Sequence, residues 1–411
     1  MKNYIERDLE KEIKKYFKSR EILAVVGPRR SGKTTLIESI LKSQKRKINR
    51  ISFDNVKILR LFEEDIDAFI DEHIKDYDLV FIDEVQYSKD SGKKLKYIYD
   101  TNWTKIIISG SSAAEISIHS LKYLVGRIFT FNLYPFSFRE YLRAKEKSLE
   151  KYLGEKKVSN IILERLNRHL ENYLIYGGYP QVVLSESDDK RRKVLDGILN
   201  TYLLKEIREI LDLSDDYKLM NLMKALSLQI GNILNYNELS KITGFSYLDL
   251  KRYLNILEKT FVIKQVRPYF TNKRTEIVKA PKIYFYDLGF RNAVLNNFER
   301  ERAEIGSIYE NFVFSELMIR GVEPKYWNTK SNAEVDFVLE MKGKLFPVEV
   351  KLSLNGKRLT KSFRSFLEKY PSEKGYFLSK SFLGKLSEKD TSIYFLPVVF
   401  VENLVWPDIS Q

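Results

Sequence analysis

ILAVVGPRRSGKTT, residues 22–35, runs from an apolar segment through a glycine-bearing loop into a helical pattern that continues to about Lys42. Strand, loop, helix is the setting that the pattern G-x-x-x-x-G-K-[ST] requires, and Gly27-Pro28-Arg29-Arg30-Ser31-Gly32-Lys33-Thr34 fits it. Backbone N–H groups from Gly27 to Thr35 can surround phosphates, Lys33 can neutralise the β and γ oxygens, and the Thr34 hydroxyl can ligate magnesium. The competing reading is a glycine turn with a lysine there by chance; the flanking strand and helix weigh against it.

Outward from this loop, β-type runs at Ile48 to Asp54, Leu79 to Asp83 and Lys105 to Ser109 alternate with segments long enough for helices. That order predicts a parallel sheet with crossover helices. Leu79-Val80-Phe81-Ile82-Asp83-Glu84 is an apolar strand ending in two acids, a Walker B arrangement. A buried parallel strand delivers its last residues to the sheet edge where a nucleotide sits, so Asp83 would hold the magnesium shell and Glu84 would polarise the attacking water. No Asn-Lys-x-Asp segment follows, which favours ATP over GTP.

The next strand leads into Ile108-Ser109-Gly110-Ser111-Ser112. A hydroxyl at its tip can sense the γ-phosphate, with Ser111 preferred over Ser109. The alternative is a helix N-cap before Ala113-Ala114-Glu115, a role open to Ser112 as well. Arg127, after Gly126, suits stabilisation of phosphate charge from a neighbouring subunit; the alternative is a pair with an acid at a domain seam.

The chain has 411 residues, too many for one ordinary core. From Ser137 to about Ile230 it reads as helices, interrupted by Gly177-Gly178-Tyr179-Pro180. Then come two short helices around a Gly244 turn, β-type segments at Phe261 to Arg267 and Ile277 to Phe285, and a mixed α and β end. Cysteine is absent, which excludes disulfides, thiolate nucleophiles and cysteine-ligated metals. The histidines, His73, His119 and His169, fit no zinc spacing. The charged start and the lack of a long apolar run lead us to expect a cytoplasmic protein without a membrane partner.

The formal charge of +14 suggests an anionic partner, and it is uneven: residues 1–140 carry +5, residues 141–300 carry +8 and residues 301–411 carry +1. Residues 236–282 alone hold 10 basic and 4 acidic side chains. There Ser246 can cap a second helix whose inward stripe is Leu250, Leu254 and Leu257, leaving Lys251 and Arg252 outside. That helix can enter a major groove while Lys273 and Arg274 reach phosphates from a wing, so DNA is the expected partner. A helical connector with solvated charges is the alternative.

GPRRSGKTTL, LVFIDEVQ, ISGSSA, GR before LYPFSFREYL, and YGGYPQVV together resemble the archaeal and bacterial AAA+ ATPase family in which a P-loop ATPase is fused to a winged helix and a restriction-endonuclease-like domain. The resemblance implies an α/β fold: a P-loop core over 1–135, a helical lid over 136–232 opened by Tyr134-Pro135-Phe136, a winged helix over 233–290 and a nuclease-like domain over 291–411. It also implies a sensor role for Ser111, an arginine finger at Arg127 and oligomers built through AAA+ interfaces.

At the C-terminal end, alternation turns Glu334 and Asp336 away from Val335, Phe337 and Leu339, and turns Glu349 and Lys351 away from Val348 and Val350. A hairpin would gather Asp336, Glu349 and Lys351, with Glu310 on a helical stripe upstream. The set matches the acid, E-x-K and helix-acid pattern of restriction-endonuclease-like folds, in which the carboxylates bind a metal and the lysine orients water. A wet hairpin face is the alternative. The leading expectation is an ATP- and Mg2+-dependent AAA+ ATPase acting on DNA. An ATP-regulated metal-dependent nuclease and a non-enzymatic nucleotide switch are its rivals.

Overall fold

A computed structural model describes residues 4–111, 121–155, 157–201, 207–211, 213 and 216–404. The chain divides into two compact units: Met1–Phe136 with Glu209–Leu211 and Asn255–Val262, and Ser137–Arg208 with Asp212–Leu254 and Ile263–Gln411. The second takes in most of the three segments drawn from the sequence after residue 135.

The first unit is built on β1 (Ile22–Gly27), β2 (Ile48–Ser52), β3 (Leu79–Asp83), β4 (Lys105–Ser111) and β5 (Ile128–Asn132). They form one parallel sheet in the order β2-β3-β4-β1-β5. Every residue of β1 is buried, as expected of a strand covered on both faces. Alternation divides the core: Ala24, Val80, Ile82 and Ile106 face one layer, and Leu23, Val25, Leu79 and Phe81 face the other with the Lys33–Lys42 helix. β4 runs two residues beyond the expected Ser109, to Ser111.

In the second unit, Ser137 opens the Phe138–Lys145 helix with a reciprocal capping box to Glu140. Helices Asn160–Tyr176, Asp188–Ile198 and Asp216–Leu228 follow. Helix Tyr236–Thr243 ends at Gly244 in the left-handed region (φ 71°), and Ser246 Oγ accepts the Asp249 N–H at 3.1 Å at the start of Tyr247–Lys259, a helix whose residues from Asn255 on belong to the first unit. An antiparallel pair, β6 (Ile263–Val266) and β7 (Lys282–Phe285), comes next.

One expectation needs correction here. Ile277 and Val278 read as the start of a strand, but they end a short helix, Lys273–Val278, capped by the Asn272 side chain. The cap outweighs the β-branched pair, which stays exposed. Lys273 and Arg274 therefore sit at a helix start, not on an extended wing.

The C-terminal part holds β8 (Lys325–Asn328), β9 (Glu334–Met341), β10 (Lys344–Val350), β11 (Lys374–Ser379), β12 (Gly384–Glu388) and β13 (Thr391–Pro397). Their order is β12-β13-β11-β10-β9-β8, with β10, β11 and β13 parallel and the remaining pairs antiparallel. Helix Lys361–Lys369 covers one face through Phe363 and Phe366, which pack with Trp327, Val338, Phe377 and Phe395. Among the described residues no helix is long and apolar enough to cross a membrane.

Candidate functional site

Gly27 ends β1 because nothing larger fits: a Cβ there would lie 2.1 Å from the Leu133 carbonyl oxygen. The loop then turns through two left-handed residues, Arg30 (φ 63°) and Gly32 (φ 95°), the second of which starts the Lys33–Lys42 helix. Lys33 is buried, and its Nζ donates to the carbonyls of Gly27 and Pro28, both at 3.1 Å. Burial brings it down to about 8, against the pull of Glu84 and Asp83. Ser31 is buried too, and among the described residues its Oγ has no hydrogen-bond partner. Pro28 is buried, Arg29 half-buried, and Arg30, Thr34 and Thr35 exposed.

Across the sheet edge, Thr34 Oγ1 donates to Asp83 Oδ2 at 2.8 Å. These two oxygens, a hydroxyl and a carboxylate, suit a hard divalent cation. Asp83 Oδ1 accepts the Glu84 N–H at 3.0 Å and also the Ser109 hydroxyl. β4 lies between β1 and β3, so its tip reaches the acid from beside the phosphate loop. The preferred serine, Ser111, is buried and uses its backbone N–H, which donates to Gln86 Oε1 at 3.3 Å. Ser109, the less favoured residue, is the one whose hydroxyl touches Asp83. Ser112, Ala113, Ala114, Glu115 and His119 lie outside the described residues.

Glu84 itself has φ 56° and ψ 45°, a left-handed conformation costing a non-glycine residue about 1 kcal/mol or more. Its carboxylate accepts the Gln86 side-chain N–H. Gln86 thus ties Glu84 to the end of β4, and sequence reading missed it; the glutamine two residues past the acid pair was the available signal. Arg7 was missed as well. It is buried, donates to Ser31 O at 2.9 Å and Tyr134 O at 2.6 Å, and stacks on Phe136, bracing the phosphate loop from behind. No sequence signal separated Arg7 from the solvated charges around it.

Arg127 is at the other end of the sheet. It immediately precedes β5, and its carbonyl accepts the Ile22 N–H at 2.8 Å, so the phosphate loop lies a strand length away, roughly 16 Å at 3.3 Å per residue. Its guanidinium clamps Asp100 (Nε to Oδ1 2.8 Å, Nη2 to Oδ2 3.3 Å) within the same unit. Pairing with an acid, the alternative held open from the sequence, is what this geometry shows, although no domain seam is involved.

The β9–β10 hairpin does gather the C-terminal residues. Lys351 Nζ lies 3.0 Å from Glu349 Oε1 and 3.9 Å from Asp336 Oδ2. Burial raises Glu349, with Lys351 pulling the other way. Burial, eased by Lys282, pushes Glu310 up to about 7. The expected metal set of Glu310, Asp336 and Glu349 is not realised: among the described residues no three acids or histidines are arranged to hold a metal ion. Each carboxylate instead accepts protein donors. In the basic module Leu250, Leu254 and Leu257 are buried, and Lys251 and Arg252 are exposed. Lys273 Nζ is drawn to Glu276 at 3.2 Å and Glu340 at 3.7 Å, while Arg274 is exposed.

Residues 19–142 match the family described as an AAA domain. The first unit therefore carries an AAA-type P-loop domain. Residues 167–301 and 305–398 match two further families, each described as a domain of unknown function (DUF8612 and DUF4143). Relatives include an uncharacterized protein of Haemophilus influenzae, 25% identical over 81% of this chain and 83% of that one. An uncharacterized protein of Methanocaldococcus jannaschii is 24% identical over 90% of this chain and 83% of its own. Among solved structures, the Walker-type ATPase of Pyrococcus abyssi aligns over 71% of this chain and 96% of that one, with 15% identity and a TM-score of 0.49.

Proposed function

We propose that the protein is a magnesium-dependent AAA+ ATPase that acts on or with DNA, its nucleotide state coupled to a basic winged helix over 233–290. The observation that carries the reading is the joint placement of Lys33 on the loop carbonyls and Thr34 on Asp83. Lys33 would leave those carbonyls for the β and γ oxygens, and Thr34 and Asp83 would hold a magnesium ion, which when bound supplies charge neutralisation at the transferred phosphoryl group. Glu84, fixed by Gln86, orients and polarises the attacking water. Exposed Lys251 and Arg252, on a helix capped at Ser246, are the DNA-facing pair.

Phosphate release measured with ATP and magnesium tests the enzymatic part. Lys33→Ala should abolish turnover by weakening nucleotide binding. Glu84→Gln should keep binding and lose about 100-fold or more in turnover. A Lys33→Ala protein that keeps pace with wild type would refute the phosphate-loop assignment. Wild type that binds ATP without turning it over would make the protein a nucleotide switch.

A further inference from the structure

A helix acid and a sheet acid of the C-terminal part already hold a cation supplied by the chain. Lys282, the first residue of β7, has a side chain only 2% exposed, with Nζ 3.1 Å from Glu310 Oε1 and 2.6 Å from Glu334 Oε1. Tyr284, two residues on and so on the same strand face, donates its hydroxyl to that same Glu310 oxygen. Asp336 Oδ2 accepts the Val350 N–H at 2.7 Å. Glu349 accepts the Thr360 hydroxyl at 2.9 Å and faces the Lys351 ammonium at 3.0 Å.

A hydrolytic divalent ion needs several carboxylate oxygens to turn toward one point, at about 2.0–2.6 Å from it. Here Glu310, the helix acid expected to complete such a site, is turned onto an ammonium and a phenol. A metal entering beside Lys282 would meet a like charge and would have to strip hydrogen bonds from buried oxygens. The arrangement has a use of its own. Lys282 fastens β7 to the Ile305–Ile319 helix through Glu310 and to the start of β9 through Glu334, so three elements share one buried charge.

We propose that Lys282 is the resident cation of this cluster, holding the place a catalytic metal would need, so that the C-terminal sheet anchors the β6–β7 pair and does not cleave phosphodiesters. The proposal is independent of the ATPase reading.

Two measurements on the full chain test it. In the first, Mn2+ retention is followed by equilibrium dialysis without nucleotide, in an Asp83→Asn background that silences the phosphate-loop acid. The protein should retain no Mn2+ that a further Glu310→Gln change removes, and plasmid DNA incubated with it in Mn2+ should be nicked no faster than with Asp336→Ala. Retention that depends on Glu310, or nicking that depends on Asp336, would overturn the proposal, and neither readout requires a Lys282 variant to fold.

In the second, melting temperatures are compared for wild type, Lys282→Met, Glu310→Gln and the double variant. Lys282→Met should lower the melting temperature by roughly 5–10 °C, because it strands the buried Glu310 carboxylate. Adding Glu310→Gln should recover much of that loss. Strictly additive effects would mean that Lys282 does not neutralise Glu310, and would overturn the proposal.

Discussion

Glu84 is held from two directions: its backbone lies in the left-handed region, and its carboxylate is tied by Gln86 to the Ser111 N–H. A side chain so constrained keeps a water-polarising carboxylate in one place, and losing that order costs rate without costing phosphate contacts. Gln86→Ala should lower kcat by about 10-fold or more while leaving KM for ATP within about twofold, and steady-state kinetics will show the split. Equal losses in kcat and nucleotide affinity would reduce Gln86 to a structural residue. At this scale much of the site was legible, because Lys33, Thr34, Asp83 and Glu84 sit in a loop and a strand end whose spacing is local. Ser109 against Ser111 was not legible, since which hydroxyl meets Asp83 depends on how far β4 runs beside β3. The end of β4 is fixed by pairing with β1, where Gly27 faces Ser111, and no single-strand pattern contains that register.

Between elements, the Gly177-Gly178-Tyr179-Pro180 interruption has a packing explanation. The carbonyl of Tyr176 comes so close to Gly289 that a Cβ there would lie 2.0 Å from it, and a Cβ on Gly177 (φ 73°) would lie 2.2 Å from Asp287 Oδ1. Asp287 caps the Leu288–Leu295 helix by accepting the Phe290 N–H at 2.8 Å, and it also accepts the Gly178 N–H at 2.7 Å. One carboxylate therefore starts one helix and receives the chain leaving another. Gly289→Ala should be among the most destabilising single changes in the second unit, costing roughly 3 kcal/mol or more in urea unfolding, because backbone must move to admit one methyl.

Burial pushes Asp287 up to about 6 despite these N–H donors. Its folded value thus exceeds the unfolded one near 3.9, so its contribution to stability is complete below about pH 4 and is lost as pH rises through about 6. The wild-type advantage over Asp287→Asn should narrow by roughly 2–3 kcal/mol between pH 4 and 7 in urea melts. An unchanged difference would place the titration elsewhere. Periodicity found the helices here, yet it could not show that two distant glycines serve one contact, because that contact joins residues more than a hundred positions apart.

For the whole molecule, the net charge of +14 does not say which basic side chains face a partner, since folding commits several of them to ion pairs and carbonyls. Of the 10 basic residues in 236–282, Lys282 is buried among carboxylates, Lys264 lies 2.6 Å from Glu323, and Lys273 is drawn to Glu276 and Glu340. Arg267 donates to the carbonyls of Ile277 and Lys279. Lys251 and Arg252 are exposed on the Tyr247–Lys259 helix, with Lys251 resting over the Tyr247 ring. Composition counts all ten alike, because sequence position says nothing about which ammonium another strand will neutralise. If DNA is the partner, phosphate contacts release counterions, and each lost contact shortens the slope of log K against log salt by about 0.9. Replacing both Lys251 and Arg252 by Ala should therefore shorten that slope by about 2, whereas Lys273→Ala should leave it nearly unchanged, as fluorescence anisotropy over a salt series would show. The reverse order would move the DNA-facing surface from the second helix to the segment between β6 and β7.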